Sequence, residues 1–154
     1  MRQLAAGVSV VTVGQGEART GFTATSVTSL AVEPPRLLVC VGRDSSSWPA
    51  LREAGAFCAN VLDASQQWLA DRFAGRDGIY GPARYEGVSW HAMPSGAAAL
   101  AGALASIDCV LEEAIECHSH VILIGAVEAV LLGPAEASPL LYWRGDYRRL
   151  DPGS

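Results

Sequence analysis

The apolar, β-branched segments of this chain are mostly joined by connections too brief for the dozen or more residues that a parallel crossover needs. Residues 7–13 (GVSVVTV) run into a turn carrying Gly14 and Gly16, and Pro34-Pro35 separates the segment 21–32 from a short apolar run at Leu37–Val41. Gly145 divides Leu140–Tyr142 from Asp146–Leu150. Strands linked this closely pair with antiparallel neighbours, so the expected architecture is mainly β. About seven strands and two short helices fit the pattern, and a closed antiparallel barrel would leave no open edge. At 154 residues the chain is long enough to bury such a core without disulfides or a structural metal. A single domain over residues 1–154 is expected, since no repeat, low-complexity tract or shift in composition marks a second one.

The remaining elements follow from local chemistry. Asp44-Ser45-Ser46-Ser47 precedes Trp48-Pro49, and Gly55 closes the stretch, the order of an N-cap, a first-turn proline and a C-terminal glycine. Phe57–Leu62 reads as a strand, after which Asp63 and Gln66 form a capping box for a helix through Phe73 that ends at Gly75. Residues 76–95 carry three glycines and two prolines with little periodicity, a long loop of the kind that carries function. Leu104–Glu112 alternates as a half-buried strand does. His120–Leu132 is nearly continuously apolar, the pattern of a strand buried on both faces.

Charge and motif exclude several kinds of function. Sixteen acidic residues face eleven basic ones, all arginine, which argues against a nucleic-acid surface. No apolar run approaches the ~20 residues that span a bilayer, and the N-terminus reads as the start of a strand without a cleavage site, so a cytoplasmic protein is expected. Cys40, Cys58, Cys109 and Cys117 form no C-x-x-C pair and read as small hydrophobes in a reducing compartment. Gly14-Gln15-Gly16 begins like a dinucleotide fingerprint, but Arg19 stands where a glycine is required and no βαβ unit surrounds it. Cys117, His118 and His120 invite a metal reading, because residues two apart on a strand such as His118 and His120 face the same side, but no motif supplies further ligands, so no metal is expected.

Two segments point to ligand binding. Thr23, Thr25, Ser26, Thr28 and Ser29 concentrate hydroxyls in what reads as a strand turning into a polar loop, suited to one wall of a site for a planar polar ring; a hydroxyl-rich edge strand has the same composition. Gly21 just before it would let a ligand approach the backbone. The serines at 45–47 offer hydroxyls and orphan N–H groups at a helix start, as phosphate sites do and as plain capping does. Arg43 and Arg72 are candidates to add charge there, or solvated surface residues. His120 is either a structural histidine at a strand start or a ligand contact.

Taken together, GVSVVTV, GFTATSVTSLAVEPP (21–35), LLVCV (37–41), FCANVL (57–62), RFAG (72–75), AGALASIDC (101–109), HVILIGAV (120–127) and PLLYWRGDYRRL (139–150) resemble, in order and spacing, the short-chain flavin reductases of two-component flavin-dependent monooxygenases. The resemblance implies a split β-barrel that binds FMN or FAD, works as a homodimer with the flavin near the interface, and reduces flavin with NADH or NADPH for a partner oxygenase. It places Thr25, Ser26, Val27 and Thr28 along the isoalloxazine ring and Ser45, Ser46 and Ser47 near the ribityl phosphate. Phe73, Ala74 and Gly75 would border the flavin, His120 would stand at the nicotinamide side, and Tyr147 with Arg148 would close over the site. Two departures stand out: the family commonly shows Gly-Asp-His where this chain has His118-Ser119-His120, and Gly75–Tyr85 contains an insertion-like segment. The competing readings are a flavin-dependent oxidase of the pyridoxamine-phosphate type, disfavoured by the absence of lysine, and a flavin-binding barrel without turnover. Apolar surface at Trp90, Tyr142 and Trp143 is the expected dimer contact.

Overall fold

The computed structural model describes residues 1–150, and every strand pair in it is antiparallel. The strands among the described residues are β1 (Ala6–Gly7), β2 (Ser9–Val13), β3 (Thr20–Ala24), β4 (Thr28–Val32), β5 (Pro35–Gly42), β6 (Ala56–Val61), β7 (Trp90–Ala92), β8 (Ala98–Leu100), β9 (Ala105–Cys117), β10 (His120–Leu132), β11 (Leu141–Trp143) and β12 (Asp146–Arg148). The α-helices are α1 (Ser47–Ala54) and α2 (Gln67–Phe73). Seven strands form the main sheet in the order β3-β2-β6-β9-β10-β5-β4, flanked by a β1-β11-β12 sheet and a β7-β8 pair. The larger strand count than the sequence suggested comes from short pairs and from Thr28–Val32, which forms an edge strand where a polar loop was expected.

Alternation along the strands rolls the main sheet around one core. Val11 and Val13 of β2, Phe22 of β3, Val39 and Val41 of β5, Phe57 of β6, and Val121 and Leu123 of β10 meet inside, and Trp48 and Leu51 of α1 pack against them. A second core lies on the opposite face of β2, where Val8 and Val10 pack with Leu69, Ala70 and Phe73 of α2, with Tyr85 and with Leu140. Each fully buried Leu or Phe here contributes about 1.5–3 kcal/mol of transfer free energy. The strand buried on both faces throughout is therefore β2. The second half of β10 is open instead, with Val130 and Leu132 exposed, because an apolar run does not reveal whether its own chain supplies the cover.

The barrel does not close. β3 and β4 are the two edges of the main sheet, and β4 pairs with β5 only from Pro35 to Leu38. Beyond that point the edge of β5 meets the link between β3 and β4, where the Ser26 hydroxyl accepts from the Cys40 amide (3.0 Å) and lies 3.4 Å from the Cys40 carbonyl oxygen. A side chain thus replaces a strand at the seam, and the fold is a split antiparallel β-barrel.

Two of the local signals at the helices hold, the glycine that ends α1 and the capping box. Gly55 ends α1 in the left-handed region (φ 65°), and Asp63 with Gln66 forms the capping box, which opens a short 3₁₀ turn that runs into α2. Cys117 and His120 pair across a two-residue hairpin turn, with His118 at φ 54°, so His118 and His120 do not lie two apart on one strand. Trp90 and Tyr142 are partly buried against the second core, Trp90 through a bond from its indole N–H to the Tyr85 carbonyl (2.9 Å).

Candidate active site at the barrel seam

The seam opens into a cleft of about 770 Å³, within the range of small-molecule sites. One wall is β3 and its exit, from Phe22 to Ser26; the opposite wall is the uncovered end of β5, from Cys40 to Gly42. Asp44, Ser45 and Ser46 at the start of α1 close one end, with His120 at the first position of β10. Phe73, Ala74 and Gly75 at the end of α2 close another, joined by Tyr80 and Arg84 from the loop that follows.

Of the residues singled out from sequence, Thr25, Ser26, Ser45, Ser46, Phe73, Ala74, Gly75 and His120 line this cleft. Val27 instead packs against the first core, and Thr28 is exposed on β4. Ser47 is fully buried, its hydroxyl donating to the Gly21 carbonyl (2.8 Å), so it joins α1 to β3 and is spent on the fold. Tyr147 lies outside the cleft because its hydroxyl donates to Asp71 on α2 (3.1 Å) and its ring packs edge-on against Tyr142. Burial and that carboxylate push the Tyr147 pKa up to about 12. Arg148 also lies outside, paired with Asp146 at 3.0 Å.

The candidate cations change places. Arg43 turns to the His118 carbonyl (3.2 Å), and Arg72 to the Glu86 carbonyl (2.6 Å) and the Trp68 ring. Asp44 supplies a negative charge at one end of the cleft, and the cation that lines it is Arg84, which is only 4% exposed. Its guanidinium donates to two carbonyls, Gly21 (2.6 Å) and Ile79 (2.8 Å), and pairs with no carboxylate among the described residues. Burial lowers its pKa from the ordinary arginine value, yet the group stays charged at neutral pH. An uncompensated buried cation is costly unless a ligand completes it. Neither Arg84 nor Tyr80 stood out in the sequence; the only signal was the length of the loop that carries them.

Gly21 has a different role from the one its neighbours suggested. A Cβ there would press on the Val11 carbonyl and come within 2.8 Å of the Phe73 ring, so the close approach is between β3 and α2. Across the cleft, the Ser119 hydroxyl lies 2.9 Å from His120 Nδ1 and orients the ring, the task an acidic neighbour would otherwise perform. At the start of α1, Ser45 Oγ accepts from the Ser47 amide (3.2 Å), while the Ser46 side chain at the N-cap makes no capping bond among the described residues.

This donor set fits a flavin nucleotide. Phe22 and Phe73, both buried, hold the walls of the slot in place, the Thr23–Ser26 segment and the uncovered β5 edge offer hydrogen-bonding groups along the rim of a flat ring, and Ser45 and Ser46 with Arg84 suit anionic or carbonyl oxygens. No group of residues suited to a metal ion occurs among the described residues.

Comparison with known proteins identifies the family. The flavin reductase like domain profile matches residues 1–151. FMN reductase (NADH) RutF 2 of Methylorubrum extorquens (strain PA1) is 43% identical over 150 residues, covering 97% of this chain and 86% of its own. The flavin-dependent monooxygenase reductase subunit HsaB of Mycobacterium tuberculosis (strain ATCC 25618 / H37Rv) is 34% identical over 97% of this chain and 79% of its own. Among solved structures, the NADH:FAD oxidoreductase SgcE6 of Streptomyces globisporus C-1027 superposes with a TM-score of 0.89 at 36% identity, covering 97% of this chain and 89% of that one. With a profile match over nearly its whole length and relatives above 30% identity, the chain belongs to the flavin reductase-like family.

Proposed function

We propose that this chain is an NAD(P)H:flavin oxidoreductase that takes FMN or FAD into the seam cleft, reduces it with NADH or NADPH, and passes the reduced flavin to a partner oxygenase. The observation that carries the reading is the cleft itself, a slot with a hydroxyl wall, a helix start and a buried cation that pairs with no carboxylate among the described residues. Relatives named as FMN reductase (NADH), NADH:FAD oxidoreductase and monooxygenase reductase subunit support it.

The flavin, when bound, supplies the redox chemistry, accepting a hydride from the reduced nicotinamide. The chain's residues do the rest by placement. Phe22 and Phe73 hold the walls of the slot from behind, and the Thr25 hydroxyl with the backbone of the Thr23–Ser26 segment fixes the ring's edge. Arg84 stabilises negative charge that builds up in the slot. Ser45 and Ser46 hold the phosphate end. His120, oriented by Ser119, presents its free Nε2 edge at the nicotinamide side, where it positions that ring or carries a proton.

Residues 1–154 act as one domain in this reading, and the protein works in the cytoplasm as a homodimer. Support for the dimer comes from the outer face of β5, β9 and β10. Val39, Val41, Val121 and Leu123 point inward, so Leu38, Cys40, Ile122 and Ile124 point out, beside exposed Val110 and Ile115. No helix among the described residues is long and apolar enough to cross a membrane.

The test is nicotinamide oxidation followed by absorbance with FMN, FAD and riboflavin supplied in turn, against NADH and then NADPH. Turnover that requires added flavin supports the reductase. Flavin binding without nicotinamide consumption selects a non-catalytic flavin-binding barrel.

A further inference from the structure

Most large aromatic residues near the cleft are accounted for by packing. Phe73, Tyr85 and Trp90 form one cluster, with ring centroids 4.7–5.9 Å apart, and Tyr142 and Tyr147 form another. Tyr80 belongs to neither. It lines the cleft, yet its side chain is 60% exposed, far more than folding requires of a tyrosine.

Its position is nevertheless fixed from several sides. The Arg84 guanidinium lies 5.0 Å from the centre of its ring, a cation–π contact, and that guanidinium is itself held by the Gly21 and Ile79 carbonyls. The Ile79 bond ties the backbone immediately before Tyr80 to the same arginine. Asp77 accepts from the Ile79 amide (3.1 Å), and Gly78 and Gly81 on either side take φ values of 73° and 58°, which side chains with a Cβ rarely adopt. The ring stands beside Gly75: a Cβ placed there would come within 3.9 Å of the Tyr80 ring and hydroxyl. Thus the segment that departs from the family pattern builds a rigid loop whose end is an aromatic ring, with one face on a buried cation and the rest open to the slot.

We propose that Tyr80, backed by Arg84, is a stacking platform for the isoalloxazine ring, a specificity-determining contact that this chain adds to the flavin side of its cleft. A flat, polarisable ring is the ligand such a face recognises, and the Arg84 contact holds the tyrosine in place before the ligand arrives. The proposal places Tyr80 on the Phe73–Gly75 side of the slot, away from His120. It rests on the reading of the cleft as a flavin site.

The experiment compares wild type with Tyr80→Ala, Tyr80→Phe and Tyr80→Trp, using isothermal titration calorimetry with FMN and FAD, flavin fluorescence in the bound state, and thermal unfolding. Because the ring is exposed, all variants should unfold at the wild-type temperature. Tyr80→Ala should bind flavin about tenfold more weakly, as removal of one stacked aromatic face does, with Phe and Trp restoring affinity. Bound flavin should be strongly quenched in wild type, because a stacked phenol donates an electron to the excited ring, and brighter in Tyr80→Phe, whose ring stacks without that donation. Unchanged affinity and fluorescence across the series in a wild type that binds flavin overturn the platform alone. A wild type that binds no flavin overturns the functional reading beneath it.

Discussion

Gly21 joins the two cores to the cleft. Its carbonyl accepts from Ser47 and from Arg84, and the space where a side chain would start is filled by the Val11 carbonyl and the Phe73 ring. Gly21→Ala must therefore move β3 or α2, with an expected cost of about 1–3 kcal/mol from overpacking. Denaturant midpoints read that cost, and flavin affinity should fall with it because Phe73 and Arg84 both shift. A different signature is expected at the other end of the cleft. His120→Ala should lower kcat roughly 10- to 100-fold with little change in flavin Kd, the pattern of lost placement rather than lost binding. Ser119→Ala, which frees Nδ1, should move kcat in the same direction but less, and would leave it unchanged if the hydroxyl did not orient the ring. Both are read by steady-state kinetics beside flavin titration. At this scale the sequence revealed residue types better than their orientation. The hydroxyls at 25, 26, 45 and 46 lie at the cleft as their chemistry suggested, whereas Ser47 looked identical and is buried in the fold. Arg84 resembled any other arginine, because what distinguishes it is burial against two carbonyls distant in the chain.

Among the elements, the turn after β6 shows how a short polar motif positions the site. Asp63 accepts from the amides of Ser65 (2.8 Å) and Ser138 (2.9 Å), so one carboxylate both starts the turn leading into α2 and anchors the segment before β11. The Ser65 hydroxyl first, and then those amide bonds, hold its pKa below the usual carboxylate value. A depressed folded pKa means that the contribution is present above the unfolded value of about 4 and is lost as pH falls through the folded one. Asp63→Asn should therefore lower stability at neutral pH, where the ionised carboxylate contributes and where one amide oxygen cannot replace both accepting oxygens, and should flatten the decline below about pH 4, while Asp63→Ala should cost about 1 kcal/mol at neutral pH. Urea midpoints across pH 2–7 in the three proteins separate charge from cap. The capping box was readable because all its parts lie within four residues. The hairpin turn at His118-Ser119 was not, since in sequence it continues two strands without a glycine or proline to mark it.

For the whole molecule, antiparallel pairing was legible from connection lengths, but the split in the barrel was not: it depends on one serine side chain meeting the β5 edge fourteen residues away. The apolar run at 120–132 was equally incomplete information, because its second face is bare within the described residues. That bare face is continuous with the cleft through Cys40, which lies outward on β5 opposite Ile122 and also lines the slot. A second copy docked there would stand at the mouth of the flavin site, so assembly and binding should be linked. Ile115 pairs with Ile122, is 41% exposed and touches neither core, which makes it the position to break the contact without disturbing the protomer. Ile115→Glu should shift sedimentation from dimer to monomer, since burying two carboxylates across a two-fold contact is unfavourable. Flavin Kd should rise in the same variant while the unfolding transition of the separated protomer stays cooperative. A variant that remains dimeric with unchanged flavin affinity would move the interface elsewhere on the barrel and leave the cleft a property of one chain.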